Sequence, residues 1–138
     1  MHNLIKWNDK FLIGHKSIDK QHKKLFEIAQ EANSILEISD INQQENVLKN
    51  VLKELYDYVE YHFLAEEQLM ENLSYREIDQ HKEIHKRILN ELNALTTEIS
   101  YTKLSEIIEK LSDFVQIVFV DHITVEDQKI SDTIPKSF

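Results

Sequence analysis

The sequence predicts an all-α domain: an antiparallel up-down-up-down four-helix bundle with an N-terminal arm. Its 138 residues are 41% apolar, which is enough for one ordinary core. The chain contains one Gly and one Pro, so residues that break helices are almost absent. Four long segments repeat apolar residues at alternating steps of three and four, which is the spacing of a bundle seam.

Each helix is predicted from its own apolar stripe. The stripes begin at Ile18, Leu48, Ile78 and Leu104. Short polar connections separate the helices, roughly at residues 38–43, 71–76 and 100–103. Connections this short favour antiparallel neighbours. We therefore expect a single domain over residues 1–138, with the arm at residues 1–16 and the bundle at residues 17–131.

The composition of the chain excludes or disfavours several functional classes. The chain has no Cys, which excludes disulfides, thiolate metal sites and Cys nucleophiles. A net charge of −9 disfavours nucleic-acid binding through phosphates. The longest apolar run, residues 114–120, is interrupted by Gln116 and is too short to span a bilayer. The N-terminus lacks the continuous apolar core of a signal peptide, so we expect a cytoplasmic protein that does not insert into membranes.

Five histidines and two carboxylates form an ordered series along the chain: a single His, then HxxxE, HxxxH and HxxxxD. The residues are His22, His62 with Glu66, His81 with His85, and His122 with Asp127. Six of these seven replace Leu or Ile on the predicted seam. Burying a polar group without a partner costs several kcal/mol. One such His could be a hydrogen-bonded core residue, but the whole set indicates a metal site.

The predicted topology brings the series together. His22 lies near the start of the first helix, and His62 near the end of the second. His81 lies near the start of the third helix, and His122 near the end of the fourth. In an antiparallel bundle these four places share one end. The seven residues therefore converge only if the helices alternate in direction.

The spacing within each motif also carries a prediction. Residues four apart project from one face of a helix, so HxxxE and HxxxH can both point inward. His122 and Asp127 are five apart, which leaves them about 140° apart on an ideal α-helix. Either Asp127 reaches round the fourth helix to the site, or the helix has a π-type turn or a loosened end there. Such π-bulges are rare and occur frequently at functional sites.

Five imidazoles and two carboxylates are more ligands than one ion needs. They suit two octahedral ions if the carboxylates bridge, and imidazole with carboxylate suits iron and neighbouring metals. A single zinc would need only three or four of these groups, so it is the weaker alternative. No Glu stands three residues before any His, unlike carboxylate-rich di-iron bundles. An imidazole-dominated site favours oxygen binding or modest redox change over substrate oxygenation.

These motifs resemble the hemerythrin family, and single-domain bacteriohemerythrins in particular. The resemblance is carried by IDKQHKKL at residues 18–25, YHFLAEE at residues 61–67, HxxxH at residues 81–85 and DHI at residues 121–123, followed by Asp127. It covers nearly the whole chain and all seven ligand positions.

The resemblance implies two non-haem iron ions with an oxo or hydroxo bridge. One iron would be held by His81, His85 and His122 and be coordinatively full. The other would be held by His22 and His62 and keep an open position for oxygen, with Glu66 and Asp127 bridging. Reversible binding needs a dry pocket. The residues that we expect to line this pocket are Phe63, Phe119 and Ile123.

We therefore expect a protein that binds oxygen for carriage, storage or delivery, with an oxygen-using enzyme as recipient, and that is not itself an enzyme. Alternatives are the sensing of oxygen, nitric oxide or redox state, iron handling, and reduction of peroxide or nitric oxide. Asp19 and Gln21 flank His22 and could orient ligands from outside. Helix-start chemistry explains Asp19 as well. The carboxylate of Glu67 is expected to lie off the seam.

Overall fold

The computed structural model describes residues 8–99, 103–114 and 122–134. These residues form α1 (Lys16–Ser34), α2 (Ile41–Asn72), α3 (Ile78–Glu98), α4 (Leu104–Asp113), a π-helical segment (His122–Glu126) and α5 (Asp127–Ser131). Short 3₁₀ turns lie at Asp9–Phe11 and Ile35–Glu37. The described ranges contain no β-strand, and the predicted all-α fold class is confirmed.

The helices pack as a four-helix bundle. Helix α1 contacts α2 and α4, and α3 contacts the same two helices, which is the arrangement of sequential antiparallel neighbours. Five residues, 73–77, connect α2 to α3. Helix α1 begins at Lys16, close to the predicted start of the bundle. The division into an arm and a bundle stays a prediction.

The middle and one end of the bundle are filled by an apolar core. Leu48, Leu52 and Leu55 of α2 are fully buried in it, together with Leu92 of α3 and Leu111 of α4. Asp40 caps the start of α2 beside this region, because its carboxylate accepts hydrogen bonds from the N–H groups of residues 42 and 43. Members of all four predicted apolar stripes lie in this core.

The described part of the arm is fastened to the bundle by two side chains. The carboxylate of Asp19 accepts hydrogen bonds from the N–H groups of Ile13 and Gly14, at 2.7 and 3.2 Å. The amide of Gln128 donates to the carbonyls of Phe11 and Leu12, both at 3.2 Å. Gly14 has φ +91°, a left-handed conformation that favours glycine, where the arm turns into α1.

A second, smaller cluster closes the opposite end of the bundle. Ser74 adopts φ +52° after α2, and the N–H of Tyr75 then bonds to the carbonyl of Met70 at 2.9 Å. Tyr75, Met70 and Ile130 pack together as a buried cap. No helix in the described part of the chain is both long and apolar enough to cross a membrane.

Candidate metal centre

The seven predicted ligand residues lie together between the apolar core and the cap at Tyr75. All seven side chains are at most 3% exposed. They form two groups, and within each group one ligand atom per residue lies within 4.8 Å of the others. The three-histidine group is Glu66, His81, His85, His122 and Asp127; the two-histidine group is His22, His62, Glu66 and Asp127.

The helices position these side chains through simple periodicity. His62 and Glu66 of α2 are one turn apart, as are His81 and His85 of α3, so each pair points into the bundle. His22 extends from the first turns of α1. Because neighbouring helices alternate in direction, all these turns lie at one end of the bundle.

Asp127 reaches the site through a π-helical turn. The segment His122–Glu126 is π-helical, and Asp127 begins α5 directly after it. A π-turn places residues five apart above one another, which removes the angular offset of an ideal α-helix. Nε2 of His122 lies 3.1 Å from Oδ1 of Asp127. Of the alternatives that the HxxxxD spacing left open, the structure has the π-type turn.

Glu66 divides its two oxygens between the groups. Oε1 lies 2.8 Å from Nε2 of His81 and 3.0 Å from Nε2 of His85. Oε2 lies 3.2 Å from Nε2 of His62 and 3.5 Å from Nε2 of His22. One oxygen therefore faces the three-histidine group and the other faces the two-histidine group.

The two oxygens of Asp127 are divided between the two histidine groups in the same way. Its Oδ1 lies 3.1 Å from Nε2 of both His81 and His122, and its Oδ2 lies 3.1 Å from Nε2 of His22. Two ligand atoms at right angles around an ion, with bonds of about 2.1 Å, stand about 3 Å apart. The spacing of these atoms therefore fits ligands that surround two ions, with both carboxylates shared.

The hydrogen-bonding potential of the site also fits a cation. Nε2 of His22, Oε2 of Glu66 and both carboxylate oxygens of Asp127 are buried without a hydrogen-bond partner in the described ranges. Nε2 of His85 faces Nε2 of His122 at 3.1 Å. Buried polar groups are normally satisfied, so a set of inward lone pairs needs an explanation. A cation between these atoms would supply it.

The electrostatics of the cluster call for positive charge. Burial alone would lower the pKa of His22, but the carboxylates of Asp127 and Glu66, at 3.1 and 3.5 Å from its Nε2, outweigh this effect and raise that pKa to about 9. The same balance raises the pKa of His81 to about 9 and of His122 to about 10. In the protein without metal, protonated imidazoles thus take the place of a cation beside the two carboxylates.

The pKa values of the two carboxylates are shifted in the opposite direction, downward. Burial opposes the ionisation of Glu66, but hydrogen bonds from the surrounding histidines hold its pKa well below the usual range. Burial and the nearby charge of Glu66 also oppose the ionisation of Asp127, yet His122 and His22 keep its pKa low. Both groups are therefore anionic and available to bridge metal ions.

Two side chains hold outer nitrogens of the site. Nδ1 of His62 lies 2.8 Å from Oε1 of Gln21, so Gln21 takes the orienting position considered for it. Nδ1 of His85 lies 2.8 Å from Oε2 of Glu67. Sequence reasoning missed this role of Glu67. The available signal was its place next to Glu66, about 100° further round α2, where a carboxylate can reach α3.

The predicted pocket residues have different surroundings. Phe63 stacks on the ring of His85, with ring centroids 3.7 Å apart and planes 3° from parallel, and its ring contacts His122 edge-on. Ile123 is buried and packs with Phe11 of the arm and Phe26 of α1. Phe119 lies outside the described residues. That these residues line an oxygen pocket stays a prediction.

Tyr75 is a further neighbour that the motifs did not indicate. Its ring meets His81 edge-on at 6.3 Å, and its hydroxyl donates to Glu77 at 3.4 Å. Burial, together with the charge of Glu77, raises the pKa of Tyr75 to about 12. The phenol therefore stays neutral and covers the end of the three-histidine group.

Fold and site together define a helical-bundle domain with a buried cation-binding centre of imidazole and carboxylate. Residues 14–134 match the family described as hemerythrin HHE cation binding domain. The chain belongs to this family.

Individual relatives agree with this assignment. The chain is 29% identical to a bacteriohemerythrin of Clostridium acetobutylicum, over 91% of this chain and 98% of the relative. It is 35% identical to a bacteriohemerythrin of Campylobacter jejuni, over 90% of this chain and 91% of the relative. A myohemerythrin of Theromyzon tessulatum is 29% identical over 68% of this chain and 70% of its own length. The predicted resemblance is therefore confirmed.

Proposed function

We propose that the protein binds oxygen reversibly at a non-haem di-iron centre, for oxygen carriage, storage or delivery. The observation that supports this most strongly is the division of the oxygens of Glu66 and Asp127 between two histidine groups. A mononuclear site would need only one of these groups. Membership of the hemerythrin family supports iron as the metal.

The two proposed iron positions differ in their number of protein ligands. The three-histidine group offers five ligand atoms and the two-histidine group offers four. With a bridging oxo or hydroxo group as well, the first iron would have six ligands and the second would have five. The position beside His22 and His62 is therefore the one with room for oxygen.

When bound, the iron pair would supply the two electrons that oxygen binding requires and recover them on release. The protein's own contribution is to bind the irons, to orient their ligands and to keep water out of the site. The ligand side chains are buried, and Phe63 covers the ring of His85 from one side. Excluding water protects the reduced irons from side reactions.

Binding and release leave oxygen unchanged, so the protein would act as a binding protein and not as an enzyme. We also propose that an oxygen-using enzyme receives the oxygen and that the protein is cytoplasmic.

Metal analysis combined with optical spectra of the anaerobically reduced protein tests the proposal. We expect about two irons per chain, and a visible absorption band that appears with oxygen and disappears when oxygen is removed. The double variant His22→Ala/His62→Ala serves as the control, because it lacks the imidazoles of the position with room for oxygen. Two irons that oxidise irreversibly would overturn oxygen carriage and favour sensing or redox catalysis. A single zinc would overturn the di-iron site.

A further inference from the structure

The two histidine groups differ in what holds the outer nitrogen of one member. The outer nitrogen Nδ1 of His85 and of His62 faces an oxygen that can only accept a hydrogen bond, so Nδ1 of each ring carries a proton and donates it, while Nε2 points into the site toward Glu66 at 3.0 and 3.2 Å. His85 donates to the carboxylate of Glu67 and His62 donates to the amide oxygen of Gln21, both at 2.8 Å. One imidazole thus has a charged acceptor and the other has a neutral acceptor.

This difference has a direct chemical consequence. A carboxylate that accepts the outer N–H of a metal-binding histidine raises the basicity of the inner nitrogen. A neutral amide fixes the ring orientation but withdraws the proton less. The negative charge of Glu67 also attracts a cation bound by His85. The side chain of Glu67 is 21% exposed and that of His85 is 2% exposed, so water screens this attraction only partly.

The contact geometry leaves little freedom in either ring. His85 is held between the Glu67 carboxylate at its outer nitrogen and the ring of Phe63 stacked against its face at 3.7 Å. His62 is held by Gln21, which is itself 6% exposed on α1. Each acceptor therefore acts on one metal position and not on the other.

We propose that Glu67 and Gln21 are positioning residues that make the two metal positions unequal. Glu67 strengthens metal binding at the three-histidine position through His85, and Gln21 leaves the two-histidine position weaker through His62. The inference rests on the two-metal site proposed above. The three-histidine position then fills first and empties last, and the more weakly held metal is the one beside the position for oxygen.

Cobalt(II) added to the metal-free protein tests the order of filling. Cobalt moves the ring N–H protons of the histidines that bind it far outside the normal proton spectrum, so NMR counts them. One equivalent is expected to give three shifted N–H signals, from His81, His85 and His122. Two equivalents are expected to give five. A first equivalent that gives two signals, or a mixture of both sets, would overturn the inference.

Competition with a chromophoric chelator then measures the affinity of each position for cobalt. Glu67→Gln is expected to weaken the first, tighter step by about 10- to 100-fold and to leave the second step nearly unchanged. Gln21→Glu is expected to strengthen the second binding step. The double variant Glu67→Gln/Gln21→Glu is expected to bring the affinities of the two steps closest together. Glu54→Gln is the control, since it removes the same charge from an exposed position on the same helix.

The outcomes separate this inference from the proposed function. Two cobalt ions with equal affinities, or a Glu67→Gln variant whose affinities match those of the control, would overturn the inequality but keep the two-metal site. Binding of a single ion would overturn both. Circular dichroism of each metal-free variant shows whether the helices have formed. A weaker first step in a variant with full helicity supports the inference, whereas one that appears only with lost helicity counts against it.

Discussion

The same bundle seam is filled in two different ways along its length. In the apolar region, Leu48, Leu52 and Leu92 are fully buried against one another and against neighbouring helices. In the metal-centre region, equally buried positions hold histidines, Glu66 and Asp127, several of whose polar atoms lack a hydrogen-bond partner among the described residues. The apolar region is stabilised mainly by burial, whereas we expect the metal-centre region to gain its full stability only with a cation.

Metal removal should expose this difference most clearly. A ligand present at about 1,000 times its Kd stabilises the native state by about 4 kcal/mol. Chelation is therefore expected to lower the free energy of unfolding by about that amount for each tightly bound ion. Hydrogen exchange should accelerate at residues 61–72, 78–86 and 122–131 and change least at residues 48–55 and 88–95. Equal acceleration of exchange in both regions would contradict the expectation that only the metal-centre region depends on a cation.

Glu66→Ala should reproduce metal removal in the presence of metal, since Glu66 belongs to both ligand groups. We expect the affinity for both ions to fall by more than about 100-fold, beyond the effect of losing an outer partner. Glu54→Ala, an exposed change on the same helix, should retain both ions. Metal content after desalting measures the result, and two retained ions in Glu66→Ala would refute the bridging role.

Leu92→Ala should weaken the apolar region without emptying the site. Leu92 is 0% exposed, and removal of a buried leucine side chain costs about 2 to 5 kcal/mol. Urea unfolding of the metal-bound protein measures this loss, while metal content stays at the wild-type value. Leu64→Ala, at a residue 63% exposed, should change stability by less than about 0.5 kcal/mol. Loss of metal from Leu92→Ala would show that the two regions are not independent.

The pH dependence of stability should differ between metal-free and metal-bound protein. In the folded protein, the pKa values of His22 and His81 are about 9, above the ordinary histidine value of 6.5. Their stabilisation of the metal-free protein is thus fully present below about pH 6.5 and is lost as pH rises through 9. The lowered pKa values of Glu66 and Asp127 act in the opposite direction, with stabilisation lost below about pH 4. Metal-free protein should therefore be most stable near pH 5 to 6.

Metal binding reverses the trend above pH 6, because the histidines must release their protons to bind. Thermal unfolding at a series of pH values, with and without metal, measures both curves. The metal-free Glu66→Ala variant should show a weaker decline toward pH 9. A metal-free protein that becomes more stable from pH 6.5 to 9 would contradict the assigned ion pairing.

The smallest expected effect lies at the apolar end, where Asp40 caps α2. Its carboxylate accepts hydrogen bonds from residues 42 and 43 at 2.9 and 3.3 Å. Asp40→Ala should cost about 1 kcal/mol. Asp40→Asn should restore most of it, and metal affinity should not change. Urea unfolding and metal titration check the two parts of this prediction.

Much of the fold and the membership of the site were predictable because they depend on local periodicity. Steps of three and four along the chain place a stripe on one helix face, and a polar residue on such a stripe is conspicuous. The five-residue step from His122 to Asp127 indicated a departure from ideal α-helical geometry or a side chain that reaches round, and the structure shows that it is a π-helical turn. The identity of the metal does not follow from these patterns, since several first-row ions accept the same ligands.

Local periodicity in the sequence is enough to predict the helical bundle, the end at which the histidines meet and the seven residues that converge there. The packing of the helices in three dimensions decided how the oxygens of Glu66 and Asp127 are divided and that Glu67 reaches His85. It also decided that Asp19 and Gln128 fasten the arm. The physical reason is that helix periodicity sets which face a residue occupies, whereas the rotation and height of neighbouring helices set which atoms meet across the gap.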